Sequence, residues 1–242
     1  MSKAFNPPRL PELKRELAAL ADPERARNLA RFFKTGKGQY GEGDRFIGIA
    51  VPVLRRIARR YRHLPLGEIA KLLASRTHEH RLTALEILVA QYESGDADSK
   101  QSIFDFYLRQ TRHINNWDLV DTSAPYIIGE HLRSRARDAL YKLAKSRNLW
   151  ERRIAIIATM PLIRTGNLDD TFAIAALLLN DKHDLIHKAV GWMLREAGKH
   201  STAALLKFLK QNYTAIPRTA LRYAIERLPE AQRKRILAGV FE

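Results

Sequence analysis

An all-α fold, a curved α-solenoid of stacked antiparallel helix pairs, is the class that this sequence predicts. Apolar residues recur at three- and four-residue spacing along almost the whole 242-residue chain. No stretch of useful length alternates between polar and apolar residues as a strand does. Alanines return in a similar helical context at intervals of 40, 31, 34 and 31 residues, which indicates a repeated helix pair.

The predicted helices are short and separated by short breaks, so chain neighbours should pack antiparallel. In chain order they span residues 10–21, 25–33, 53–61, 66–75, 82–92, 99–112, 117–132, 136–147, 150–163, 171–179, 185–197, 202–211, 217–228 and 230–238. Short polar residues of the kind that cap helices stand near several of the predicted starts, namely Asp22, Asp44, Asp96, Asn148, Asn167 and Asp181.

The repeated alanines fall in the second helix of successive pairs and are each followed by an apolar stretch. They are Ala84, Ala124, Ala155, Ala189 and Ala220. A small residue at a fixed position lets stacked helices approach closely, and such pairs are typical of HEAT-like repeats. We therefore predict that residues 1–242 form a single HEAT-like-repeat domain, with a concave face suited to an extended ligand.

A glycine-rich segment, Gly36–Gly43, interrupts this helical pattern. The spacing of a nucleotide-binding P-loop is absent from it. It is interpreted either as a surface loop or as a loop that approaches a DNA backbone through Lys34, Lys37 and the glycine amides.

Composition favours a polyanionic partner. Lys and Arg number 42 against 26 Asp and Glu, which gives a formal net charge of +16, and such a balance is typical of nucleic-acid-binding proteins. The chain has no cysteine, which excludes disulfides, thiolate metal sites and a cysteine nucleophile. The first ten residues lack the apolar run of a secretory signal. We expect a cytoplasmic protein, in a bacterial cytosol or nucleoid, with no membrane span.

Residues 115–121 form the most informative stretch. They read as the start of a helix that carries Trp117 and Asp121 at i and i+4, hence on one side. Asp118 lies early in the same helix, where the helix dipole favours a carboxylate, so it is assigned to capping or support. Trp117 could equally pack in a core. Asp121 is the only convincing catalytic candidate in the sequence.

Three further stretches carry candidate binding residues. Trp150 and Arg153 are neighbours on a helix, and Arg153 would bind a phosphate or a structural carboxylate. Lys188, Trp192 and Arg195 lie along one side of another helix, in which Gly191 indicates close approach of a backbone or a ligand.

The third stretch is the basic C-terminal region, which offers Arg218 and Arg222. The eight histidines are scattered, and none lies at ligand spacing from a carboxylate. We expect no metal and no cofactor.

Together these residues resemble the AlkD-type DNA alkylation repair proteins, which are HEAT-like-repeat DNA glycosylases. Three motifs in the same order carry the resemblance, and each alone is weak. They are Trp117-Asp118-x-Val120-Asp121, Trp150-x-x-Arg153-x-Ala155, and Lys188-Ala189-x-Gly191-Trp192-x-Leu194-Arg195-Glu196. The resemblance spans about residues 10–230 in pattern and is strongest from about 78 to 198.

The resemblance implies roles for individual residues. Trp117, Asp121 and Trp192 would line a cleft around the lesion, and Arg153 would meet the DNA backbone. The N-terminal aromatic of the family falls on Phe32, where a tyrosine is often found, so any role of a hydroxyl group is lost here. The glycine-rich loop also departs from the family. Besides Arg153, the DNA-binding residues are predicted to be Phe32, Lys37, Lys188, Arg195, Arg218 and Arg222.

The resemblance implies a monofunctional DNA glycosylase of base excision repair. It would hydrolyse the N-glycosidic bond of cationic N3- or N7-alkylated purines in double-stranded DNA, and we expect it to act as a monomer. Two alternatives stay open at this point. One is a non-catalytic HEAT-like module that binds DNA or RNA by shape and charge, and the other is a protein-binding helical solenoid.

Overall fold

The structure is a computed structural model that describes residues 9–241. Most of the segment considered above for a secretory signal lies outside the described residues. Within residues 9–241 the regular structure is helical and no strand forms; Arg45 and Thr77 make an isolated β-bridge. The predicted all-α class with helix pairs is therefore confirmed. In the part of the chain that the structure describes, no helix has the length and apolarity required to cross a membrane.

The helices group into two compact units, Met1–Ile127 and Ile128–Glu242. The assignment of the whole chain to a single domain stays a prediction. The first unit contains α1 (Leu10–Ala19), α2 (Pro23–Phe32), α3 (Val51–Arg60), α4 (Leu66–Leu73), α5 (His78–Ser94), α6 (Ala97–Arg109) and α7 (Trp117–Asp121). A 3₁₀ turn, Thr111–His113, stands between α6 and α7.

Helix α5 is the packing centre of the first unit and contacts α3, α4, α6 and α7. Buried residues occur on all its sides, as expected for a helix surrounded by others. Its first turn differs from the rest because it buries three ionisable side chains, those of His78, Glu79 and Arg81. Such groups are buried only with partners, and their partners shape the site described below.

The second unit contains α8 (Glu130–Leu132), α9 (Asp138–Ala144), α10 (Leu149–Ile157), α11 (Met160–Arg164), α12 (Asp169–Leu178), α13 (Asp184–His200), α14 (Thr202–Gln211), α15 (Arg218–Ala224) and α16 (Glu230–Leu237). Here α13 is the centre, packed against α10, α11, α12, α14 and α15.

Two predicted helices are broken in the structure, so their predicted continuity was wrong. The helix predicted over 117–132 becomes α7, a π-helical turn at Pro125–Gly129, and α8. The hydroxyls of Thr122 and Ser123 donate to carbonyls of α7 at 2.7 and 2.5 Å, and Pro125 has no N–H to continue the ladder. The helix predicted over 150–163 divides before Pro161 in the same way.

The predicted caps are partly confirmed. The side chains of Asp22, Asp96 and Asn148 accept backbone N–H groups at the starts of α2, α6 and α10. The helix that follows Asn167 has Leu168 at its N-cap position. Asp44 is also no cap. Ala50 holds the N-cap position of α3, and the Asp44 carboxylate pairs with His78 and Arg81 instead.

A repeated turn confirms the predicted helix-pair repeat in atomic detail. At three turns, a side chain accepts the backbone N–H two residues ahead, and the side chain six residues ahead binds the carbonyl of the same starting residue. The starting residues are Ser75, Ser146 and Asp181, and the residues six ahead are Arg81, Arg152 and His187. Each turn leads into the second helix of a pair, which begins within three residues.

The five repeated alanines are all at most 1% exposed, as close helix stacking requires. Gly191 lies at one such close approach between stacked helices. A Cβ built at Gly191 would lie 2.5 Å from the Ala220 carbonyl oxygen and 2.5 Å from the Tyr223 Cβ. Of the two predicted reasons for this glycine, the structure shows a neighbouring backbone, that of α15.

We predict that Gly191→Ala destabilises the protein. The added methyl group would force α13 and α15 apart, and overpacking of this kind costs about 1–3 kcal/mol. The free energy of unfolding in urea measures the effect. Gly67→Ala is the matched control, because a Cβ at this helical glycine meets no atom within 4 Å. It should be neutral or stabilising, by up to ~1 kcal/mol; equal stability of the two variants would contradict the close packing.

Candidate functional site

Helix α7 carries the residues that the sequence singles out, and it is only five residues long. Trp117 and Asp121 are its first and last residues, and both are partly exposed. Asn116 is the N-cap residue; it is fully buried and its Oδ1 accepts the Trp117 N–H at 2.8 Å. So short a helix has little stability of its own, which means that contacts outside it must hold its two ends.

His78, in the first turn of α5, supplies the main contact to α7. Its Nε2 lies 2.7 Å from Asp118 Oδ2, and its Nδ1 lies 3.1 Å from Asp44 Oδ2. Asp44 also accepts from Asn116 Nδ2 at 3.2 Å and from Arg81 Nη2 at 2.6 Å. A line of charge therefore runs from Asp44 through His78 to Asp118. We call these three residues the acid–histidine line.

The geometry identifies His78 as an imidazolium. Both ring nitrogens face carboxylate oxygens, and only the protonated ring donates from both. Burial by itself lowers the pKa of His78, but the Asp118 charge and the hydrogen bonds to Asp118 and Asp44 outweigh it and raise that pKa to about 9. For Asp44, burial raises the pKa, and the His78 hydrogen bond and the Arg81 charge reverse this, so the pKa lies below its usual value.

Aromatic rings continue from His78 to Trp117. Phe46 stacks on the His78 ring with centroids 4.5 Å apart, Phe33 stacks on Phe46 at 5.0 Å, and Trp117 stacks on Phe33 at 5.1 Å. Phe32 meets the Trp117 ring edge-on at 6.0 Å and is 63% exposed. The structure thus brings two predicted site residues, Phe32 and Trp117, together at the outer end of this aromatic stack.

The charge of Asp121 acts on one member of a buried hydroxyl pair, Tyr107. The fully buried Tyr107 and Ser123 have their side-chain oxygens 2.8 Å apart. Burial raises the pKa of Tyr107, and the Asp121 charge acts in the same direction. The Asp121 carboxylate therefore stands close to the core, yet it keeps part of its surface open. A carboxylate of this kind can accept a proton from water or stabilise a nearby cation.

The glycine-rich segment folds into turns that place Lys37 at the surface. Its amides are used internally. Those of Gly36, Gly38 and Gly41 donate to Gln39 Oε1, Glu42 Oε2 and the Lys34 carbonyl respectively. Contact between these amides and a DNA backbone would break existing bonds, whereas Lys37 is accessible.

In the second unit, Arg153 is 5% exposed and its Nη1 donates to the Leu185 carbonyl at 2.6 Å. Arg153 thereby joins α10 to the first turn of α13. Its predicted DNA contact stays a prediction.

The other candidates of the second unit are more accessible. On α13, Lys188 pairs with Asp184 at 2.8 Å with 42% of its side chain exposed, Trp192 is partly exposed, and Arg195 pairs with Glu226. Arg218 and Arg222 are exposed on α15, and Arg218 Nη1 donates to the Leu237 carbonyl at 2.9 Å. Their binding roles also stay predictions.

Sequence reasoning missed the acid–histidine line. No carboxylate lies at regular spacing from His78, because its partners are 34 and 40 residues away in the chain. Asn116 holds the N-cap position of α7, so the capping role assigned to Asp118 was wrong. Asp118 supports the helix instead, by pairing with His78 and by accepting the Leu119 N–H. Among residues 9–241, no group of three or more His, Cys, Asp or Glu side chains is arranged to hold a metal ion.

Comparisons with known proteins agree with this reading of the fold. A solved structure of a predicted DNA alkylation repair enzyme from Enterococcus faecalis superposes with a TM-score of 0.66, covering 87% of this chain and 97% of that one at 17% identity. No curated protein matches the sequence significantly. The family of DNA alkylation repair enzymes matches residues 13–228. Because this match covers most of the chain, the protein belongs to the DNA alkylation repair enzyme family.

Proposed function

We propose that the protein is a DNA glycosylase that hydrolyses the N-glycosidic bond of cationic N3- or N7-alkylated purines. The observation that carries this proposal is the pairing of a partly exposed indole and a partly exposed carboxylate, Trp117 and Asp121, on α7. The formal charge of +16 supports DNA as the partner. Membership of the DNA alkylation repair enzyme family supports both the proposed activity and DNA as the partner.

The proposed reaction requires no strong general acid from the protein. Alkylation at N3 or N7 gives the purine a positive charge and makes it a good leaving group. When the bond between C1′ and the purine breaks, its electron pair goes to the base and the sugar gains oxocarbenium character. The Asp121 carboxylate stabilises that charge and accepts a proton from the water that attacks C1′. The products are the free alkylpurine and an abasic site in an unbroken strand.

The aromatic side chains supply binding rather than bond cleavage. Trp117 would hold a cationic nucleotide by cation–π contact, worth on the order of 0.5–2 kcal/mol, and Trp192 is proposed as a further residue able to make such a contact. Phe32, exposed beside Trp117, would contribute apolar contact without a hydroxyl group. The proposed phosphate contacts come from Arg153, Lys188, Arg195, Lys37, Arg218 and Arg222. We propose action as a monomer in the cytoplasm.

We predict that Asp121→Asn abolishes most excision. The amide keeps the shape of the side chain but loses its charge and basicity, so release of 7-methylguanine from duplex DNA should slow by about 100-fold or more. Single-turnover assays of free base and abasic sites measure this. Strand scission should require alkali in every case, since no lyase step is proposed.

Asp98→Asn is the matched control, because Asp98 is an exposed carboxylate in the first turn of α6, and it should excise at the wild-type rate. Full activity of Asp121→Asn would contradict the role of Asp121. If the wild type forms no abasic product and binds alkylated and plain DNA equally, the protein is instead a non-catalytic module.

We predict that Lys188→Ala weakens DNA binding and reduces its dependence on salt. Loss of one phosphate contact should lower the slope of log affinity against log salt by about 1. Titrations at several salt concentrations measure it. Lys71→Ala is the control, since Lys71 is also an exposed helical lysine paired with a carboxylate one turn away. Identical slopes for the two variants would remove Lys188 from the interface.

A further inference from the structure

Helix α7 is tied to the body of the first unit at two points in its first turn. Asn116, at its N-cap, donates to Asp44, and Asp118 accepts from His78. Both ties end on the acid–histidine line. Asp44 is itself held by the Arg81 guanidinium at 2.6 Å, so the line has a fixed end in the segment before α3 and another in α7.

The line is sealed from water at its centre. The side chains of His78, Asp44 and Arg81 are 2%, 5% and 4% exposed, and that of Asp118 is 13% exposed. Water cannot replace a lost partner at such a position, so removal of one charge leaves the others unsatisfied. The position of α7 therefore depends on the charge of His78, and not only on its shape.

The aromatic stack gives a second connection between His78 and the site. Phe46 stacks on the His78 ring, and Phe33 stacks on both Phe46 and Trp117. A shift of His78 would be passed to the Trp117 ring by van der Waals contact along the stack, as well as through Asp118 on the helix. Phe33 also contacts His78 directly, with centroids 5.1 Å apart.

We propose that His78 is a positioning residue, which acts through Asp118 and the aromatic stack to hold Trp117 and Asp121 in their working orientation. The inference rests on the proposed function only in naming Trp117 and Asp121 as site residues. His78 itself is buried behind them and is assigned no contact with DNA.

The charged groups in contact with His78 come from three elements. Asp44 faces it from the segment before α3, Asp118 faces it from α7, and Arg81 lies on its own helix with Nη2 3.5 Å from Nδ1. Arg25 and Glu79 line the small apolar hollow beside it. Because the carboxylates outweigh Arg81 and burial, the pKa of His78 is about 9. The line is therefore intact at neutral pH and is lost as pH rises through 9.

The test is a pH titration of Trp117 by fluorine NMR. The chain has three tryptophans, so 5-fluorotryptophan gives three signals, and Trp117→Phe identifies the one from Trp117. We expect that signal alone to shift with pH, with a midpoint near 9, the pKa of His78. His78→Gln should abolish the shift. Asp118→Asn should move the midpoint to lower pH, because it removes the largest influence that raises the pKa of His78.

His80→Gln is the matched control. His80 lies two residues further along α5, bonds to Ser75, and has its pKa lowered to about 4 by burial and nearby cations. It is neutral throughout the titration, so the Trp117 signal of this variant should behave as in the wild type. A flat Trp117 signal in the wild type, or a shift near pH 9 that persists in His78→Gln, would overturn the proposal.

The pH dependence of folding stability provides a second test, which needs neither DNA nor a fluorinated tryptophan. The pKa of His78 is about 9 in the fold against an ordinary value of 6.5, so the folded state binds the extra proton. The stability it contributes is fully present below pH 6.5 and is lost as pH rises through 9. The wild type should lose stability over this window relative to His78→Gln. If that variant fails to fold, wild type and Asp118→Asn still decide the titration.

Separate measurements can contradict the proposed function and the positioning role of His78 independently of each other. Asp121→Asn should lose excision while its Trp117 signal still titrates near pH 9. If the wild type excises no base but its Trp117 signal titrates near pH 9, the glycosylase proposal is contradicted and the positioning role of His78 is supported. Conversely, normal excision at pH 7.5 by a folded His78→Gln would overturn the positioning role alone, since we expect at least about a tenfold loss in kcat from misplaced site groups.

Discussion

One buried cation between two carboxylates organises the first unit. His78 is desolvated almost completely, which by itself would favour the neutral ring, and it stays charged because Asp44 and Asp118 face its two nitrogens. The same contacts join three parts of the chain that are far apart in sequence: Asp44 in the segment before α3, the first turn of α5 and the first turn of α7. An apolar replacement could fill the space, but it would leave both acids buried and unpaired.

The basic composition therefore serves two purposes. Some cations are structural: Arg81 and Arg153 are at most 5% exposed and bond to protein atoms, and Arg152 joins Asp181 at 2.5 Å. Others are solvent-facing, such as Lys37 and Arg222. A net charge alone does not separate these groups, because both raise it equally. Burial separates them: the exposed cations can reach a phosphate as they stand, whereas Arg153, at 5% exposure, would have to become more accessible to make its proposed contact.

The helices could be predicted from the sequence because their signals are local. Apolar spacing, the caps at Asp22 and Asp96, and the alanine interval each need only a few neighbouring residues. The placement of Trp117 and Asp121 on one helix could also be predicted, since they are four residues apart. The acid–histidine line was not, because its contacts span 34 and 40 residues and the tie from Asn116 to Asp44 spans 72. The break after α7 needed the back-bonding of two hydroxyls, for which the sequence has no periodic signal.

The repeated turns carry a consequence for the order of folding. Each closes within six residues, through bonds such as those of Arg81 to Ser75 and Arg152 to Ser146, so the loop that must be ordered is small. We infer that these turns form early and locally, whereas His78 acquires its acids only after far longer loops have closed. The part of the first unit around His78 and α7 would then be the last to form, an order that pulsed hydrogen exchange can resolve. In a nascent chain the helix pairs would therefore form before the acid–histidine line does.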